Sequence, residues 1–114
     1  HLVLSTLHTS SAAKTIDRII NSFSSGEQAE VRTVLAESLR LVVSQKLIVT
    51  SDRSQLKCFQ DILIVNDAIS NLIREGKTYQ IENSMLLGKS EGMQIMEKEI
   101  TRAIEKGEIK ASDK

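Results

Sequence analysis

Apolar residues fall in short blocks whose spacing changes along the chain. The first block holds Leu2, Val3, Leu4 and Leu7, with Ser5 and Thr6 inside it. A run so nearly continuous over His1–His8 predicts a buried strand of a parallel sheet, because a half-exposed strand would alternate. Thr9, Ser10 and Ser11 follow and are good helix caps. Ala12, Ala13, Ile16, Ile19 and Ile20 then recur at helical spacing as far as about Phe23, and Ser24, Ser25 and Gly26 make a break. The next block is the clearest. Val31, Val34, Leu35, Ser38, Leu39, Val42 and Val43 lie on one stripe at three- and four-residue steps, with Glu30, Arg32, Glu37 and Arg40 opposite, and predict one long helix.

Beyond it, Leu47, Ile48 and Val49 predict a short strand, and Lys57 to Val65 a second. The polar stretch from Thr50 to Gln55 joins them as the loop of an antiparallel hairpin. Asn66 can cap a helix that carries Ala68, Ile69, Leu72 and Ile73 and stops at Gly76. Ile69 and Leu72 are expected to face inward, with Arg74 and Glu75 on the polar side. A shorter helix is expected over Tyr79–Leu87, ending at Gly88. A last one carries Met93, Met96, Ile100, Ala103 and Ile104 and stops at Gly107. The order implies an α/β portion over residues 1–65 and a helical region over 66–114.

Composition narrows the function more than the fold. The 114 residues suit one small domain, and 40% hydrophobic with 26% charged residues is the balance of a soluble globular chain. Aromatic residues are only 3%, so Ile, Leu and Val must fill the core. Fifteen basic residues offset fifteen acidic ones, which leaves no electrostatic footprint for nucleic acid. The single cysteine, Cys58, cannot form an internal disulfide and is expected as a small core residue. No apolar run reaches the length of a transmembrane segment. The chain opens on His1 and enters an apolar strand at once, which suggests a cut inside a larger domain.

Two tripeptides, Gly76-Lys77-Thr78 and Gly88-Lys89-Ser90, match the end of a phosphate-binding loop. The full loop needs another glycine five residues earlier, where Asn71 and Asn83 stand instead. Both glycines are better explained as helix ends. His1 and His8 are seven residues apart and would point to opposite faces of a strand, which argues against a shared metal. Thr6, His8 and Thr9 are the stronger candidates. They fall at the carboxyl end of the first predicted strand, where open α/β sheets bind ligands. A histidine there can contact a phosphate oxygen, or it can cap the next helix.

The run from His1 to Ile20, HLVLSTLHTSSAAKTIDRII, resembles the His box of secretion and pilus ATPases, and its second half is similar to the retraction branch. Residues 68–77, AISNLIREGK, resemble the retraction signature AIRNLIRE, and Gly92-Met93-Gln94-Ile95-Met96 resembles the branch's GMQTM run. The resemblance implies the carboxy-terminal part of a RecA-like P-loop ATPase that works as a cytoplasmic hexameric ring at the inner face of the membrane and powers type IV pilus retraction. It implies ATP and Mg²⁺ as cofactors, identical subunits and an inner-membrane platform protein as partners, and no nucleic acid. It places His8 near the γ-phosphate, beside Thr6 and Thr9, and makes Ala68, Ile69, Asn71, Leu72, Ile73, Arg74 and Glu75 the retraction element. The phosphate loop and the Mg²⁺-linked acidic strand of such proteins lie before the His box, so this segment alone is expected to be inactive. Ser70 stands where the signature has Arg, and Asp61 where Glu is expected. The family's prolines after Phe23 and before Ala68 are missing, and Ser51–Gln55 replaces a Gly-rich turn. Pilus assembly ATPases, type II secretion ATPases and a non-catalytic helical module are the alternatives.

Overall fold

The computed structural model describes residues 1–114 and contains five α-helices and one β-hairpin. Helix α1 runs Ala12–Asn21, and its cap is local: Ser11 Oγ accepts the Lys14 N–H at 3.1 Å. Helix α2 covers Gln28–Ser38. Strands β1, Leu41–Val49, and β2, Leu56–Ile64, pair antiparallel with Leu41 opposite Ile64 and Val49 opposite Leu56. Three helices follow: α3, Asp67–Arg74; α4, Ile81–Leu87; and α5, Met96–Glu105. The second edge of β2 is closed by one residue, Gln94, which exchanges backbone hydrogen bonds with Ile62 at 2.8 and 3.0 Å.

The mixed α/β order with a two-stranded hairpin agrees with the sequence, and several details do not; among them, Met93 precedes α5 and Tyr79 precedes α4 instead of lying on those helices. Residues 1–8 form no strand, and Leu2, Val3 and Leu4 each stay more than four-fifths exposed. The two strands of the chain pair only with each other, so this apolar stretch has no sheet to enter. The radius of gyration, 15.8 Å, accordingly exceeds the roughly 13 Å of a compact domain this long. The helix predicted through Val43 stops at Ser38, and Val42 and Val43 belong to β1. Val42 satisfies both a helical stripe and the alternation Val42, Ser44, Ile48, and pairing with β2 decides between them. Cys58 is exposed, because Phe59, Asp61 and Leu63 take the inner face of β2 and even-numbered positions look outward. On α3, Ile69 and Ile73 are fully buried while Leu72 is half-buried and Ala68 exposed, so the inward face is turned by one residue.

The main core joins both halves of the chain. Ala12, Ile16 and Ile20 of α1 pack with Val42 and Leu63 of the hairpin, Ile69 and Ile73 of α3, and Ile81 and Met85 of α4. A second cluster at the far end of the hairpin joins Ile48 and Phe59 to Met96, Ile100, Ala103 and Ile109. Both are aliphatic apart from Phe59. Gly76 ends α3 with a positive φ of 74°, a conformation that costs a side chain about 1–2 kcal/mol. Arg53 adopts the same region, φ 61°, at the tip of the loop between the strands.

Candidate functional site

The turn from residue 8 to α1 borders the two main hollows of the surface. One, of about 710 Å³, lies between this turn, the inner face of the hairpin and the start of α5. His8, Ser10, Ser11, Lys14 and Lys46 line it opposite Glu82 and Glu97, with Asp61 at its wall. The other, about 640 Å³, continues along α1 past Lys14, Asp17 and Arg18. His8, Thr9, Ser10 and Lys14 border both.

The turn is held by hydroxyl groups. Thr15 Oγ1 donates to the Ser11 carbonyl at 2.9 Å, so the 2.5 Å contact between the Thr9 and Thr15 hydroxyls has Thr9 as donor. From β1, Ser44 Oγ donates to the Thr9 carbonyl at 3.3 Å. His8 and Thr6 remain exposed on this fixed base, and Thr9 is half-buried. Lys14 and Arg18 lie one and two turns along α1, and the N-terminus of that helix adds partial positive charge. The side of the hollow at His8, Ser10 and Lys14 offers donors to an anion such as a phosphate group, while Asp61, Glu82 and Glu97 make the rest of its lining acidic. No group of three His, Cys, Asp or Glu side chains is placed to hold a metal ion.

Two sequence predictions about the glycine-lysine pairs are resolved by geometry. Gly76 is the left-handed stop of α3, and Lys77 pairs with Glu75 at 3.2 Å. Gly88 follows α4 and is buried against Met93, whose Sδ would lie 2.7 Å from an added Cβ. Both glycines therefore stand at helix ends, as the sequence predicts.

The retraction-signature residues lie away from His8, on α3 against α2. Asn66 caps the helix, its Oδ1 accepting the Ile69 N–H at 3.0 Å. Ser70 Oγ donates at 2.6 Å to the carbonyl of Ala36, near the C-terminus of α2, which accounts for a small hydroxyl residue where the signature has Arg. Asn71 and Arg74 are exposed and hydrogen-bonded to each other at 2.8 Å, and Glu75 is exposed. One side-chain bond connects this region to the groove: Thr78 Oγ1 donates to Asp17 Oδ1 at 2.6 Å.

Sequence reading missed Lys14, Lys46 and Arg18 as groove residues. A cation one turn into a capped helix was a signal for Lys14; Lys46 is brought in by the hairpin alone. Two carboxyls, in the hairpin loop and just beyond α5, are held below their ordinary values. The Ser54 and Thr50 hydroxyls and the Ser54 N–H hold the Asp52 carboxyl at about 2. Glu108 is lowered by its hydrogen bond from Lys57.

The Type II/IV secretion system protein family matches residues 1–113 of this fold, groove and signature helix included. The chain belongs to that family. It is 45% identical over 109 residues to a twitching motility protein of Neisseria gonorrhoeae, covering 96% of this chain and 29% of that protein. It is 44% identical over 109 residues to the type IV pilus retraction ATPase PilT of Pseudomonas aeruginosa, covering 96% and 31%. The crystal structure of the pilus retraction motor PilT with bound ADP superimposes with a TM-score of 0.84 at 35% identity, over 99% of this chain and 31% of that one. The chain thus spans less than a third of the length of the relatives it matches. No helix is long and apolar enough to cross a membrane.

Proposed function

We infer that these residues form the carboxy-terminal part of a motor ATPase that powers type IV pilus retraction. The supporting observation is the likeness to PilT and a twitching motility protein over nearly the whole chain, through both the His8 turn and α3. Residues 1–65 then belong to the RecA-like core and 66–114 to its helical extension. The same likeness favours retraction over pilus assembly, type II secretion or a non-catalytic helical module.

In this reading the γ-phosphate of ATP approaches His8, with Thr6 and Thr9 on the same turn and Lys14 as a cation at its side. ATP supplies the bond whose hydrolysis drives motion, and Mg²⁺ draws its ligands from outside residues 1–114. Phosphoryl transfer depends on positioning the phosphates, so the 114 residues alone should neither bind ATP tightly nor hydrolyse it. The working protein is a hexameric cytoplasmic ring at the inner membrane face with a platform protein as partner, and Arg74 and Glu75 are surface contacts to a moving partner or a neighbouring subunit.

The test is an ATPase assay beside a twitching assay on the full-length protein. His8→Ala should lose most turnover while keeping nucleotide binding. Arg74→Ala should keep turnover and lose retraction. A full-length protein without ATPase activity would sink the reading.

A further inference from the structure

Asp61 is a buried carboxylate, 7% exposed, on the inner face of β2. Its Oδ2 accepts the backbone N–H of Ala12 at 2.9 Å, and its Oδ1 accepts that of Met96 at 2.6 Å. Ala12 is the first residue of α1 and Met96 the first of α5. The first N–H groups of a helix have no partner inside it. For α5 the preceding residue is Ile95, which has no side-chain acceptor, and for α1 the Ser11 hydroxyl is already engaged with Lys14. One side chain from a strand therefore terminates two helices at once, and both positive helix ends meet its negative charge.

The location matters as much as the bonds. Asp61 stands at the wall of the groove that His8, Ser10 and Lys14 border. Within these 114 residues His8 is exposed, and the turn that carries it is fixed by Thr9, Thr15 and Ser44 as well as at Ala12. Its position follows from the turn that leads into Ala12, and that N–H is held by Asp61.

We propose that Asp61 is a positioning residue for ATP hydrolysis: by clamping the starts of α1 and α5 it pre-forms the groove and sets His8 and Lys14 against the terminal phosphate. The assignment rests on the ATPase reading above. Both carboxylate oxygens of Asp61 are engaged by backbone N–H groups, so its role runs through the helix starts. Asp61→Asn is nearly isosteric but offers one acceptor oxygen, and its amide N–H₂ would face a backbone N–H, donor against donor. Asp61→Glu keeps both acceptors.

The experiment measures kcat and KM for ATP in the full-length protein, well below the unfolding midpoint, for wild type and both variants. Amide exchange at Ala12 and Met96 is followed alongside. A displacement of about 1 Å at a reacting group can cost on the order of a hundredfold in rate. Asp61→Asn should therefore lose about tenfold or more in kcat with KM within about threefold, and both amides should exchange faster. Asp61→Glu should recover most of kcat. Wild-type Ala12 and Met96 amides should be protected without nucleotide as well as with it. A folded Asp61→Asn protein that loses only thermal stability and keeps its kcat would overturn the proposal. So would wild-type amides protected only when nucleotide is bound, a result that decides the matter even if Asp61→Asn does not fold. A wild-type protein without turnover would instead overturn the ATPase reading, and the clamp's role with it.

Discussion

Helix α3 and the turn at His8 are built in opposite ways. The devices that start and stop α3 lie within a dozen residues, although its buried face and Ser70 reach distant partners. Asn66 opens it, Asp67 puts a negative charge in its first turn, Ile69 and Ile73 supply the buried face, and Gly76 closes it. The His8 turn is assembled from afar: Ser44 of β1 holds the Thr9 carbonyl and Asp61 of β2 holds the Ala12 N–H. A locally capped helix has its ends set by its own sequence, even though so short a helix still needs its buried face packed. An assembled turn depends on residues some 35 to 49 positions away, and its exposed side chains are free for chemistry because the scaffold spends its buried groups on the backbone.

The comparison breaks most easily at the buried face of α3. Ile73→Ala should cost about 2–5 kcal/mol, the usual loss and cavity of a buried aliphatic truncation. Leu72→Ala, at a half-buried position, should cost about 1–2 kcal/mol. Urea unfolding checks both, and an equal or larger cost at Leu72 would mean the inward face is misassigned.

A smaller effect sharpens the same point. Asn66→Ala removes the cap that Ile69 N–H uses and should cost about 1 kcal/mol, with amide exchange accelerated in the first turn of α3 and not at Ala12. Ser70→Ala breaks the one side-chain bond from α3 to the α2 backbone and should cost about 0.5–1.5 kcal/mol. A neutral result would show that apolar packing alone holds α3 on α2.

The exposed side chains mark the bottom of the energy scale. His8→Ala and Arg74→Ala should each change stability by no more than about 0.5 kcal/mol, so any loss of turnover or retraction in them is functional. Thermal unfolding beside the activity assays separates the two effects. The smallest effect is at Asp52, in another locally built turn. Its carboxyl is lowered from 3.8 to about 2 by the Ser54 and Thr50 groups. A lowered folded value means its contribution is complete above about pH 4 and is lost as pH falls toward 2. The stability difference between wild type and Asp52→Asn should therefore shrink over that window and stay flat above it.

The local devices were legible in advance. Ser11 and Asn66 cap as their residue types suggest, Gly76 and Gly107 take positive φ at the ends of their helices, and the loop from Thr50 to Gln55 separates two strands. Their legibility has one cause: a cap, a stop or a turn is decided by interactions within a few residues. Where two periodicities shared the same residues the reading failed. Val42 and Val43 fit a helical stripe and an alternating strand equally, and only the partner strand could choose.

Strand His1–His8 failed for a related reason, since a strand exists only where a neighbour offers hydrogen bonds, and apolar character alone does not provide one. The sequence by itself determined how α1 and α3 begin, where α3 and α5 stop, that the core is aliphatic, and which residues carry the family signatures. The tertiary structure alone decided that Cys58 faces outward, that Lys46 reaches the groove, and that Asp61 caps a helix whose own N-cap position, Ile95, has no side-chain acceptor. A sequence shows the groups that need a partner, and only folding brings a donor on one element within 3 Å of an acceptor on another.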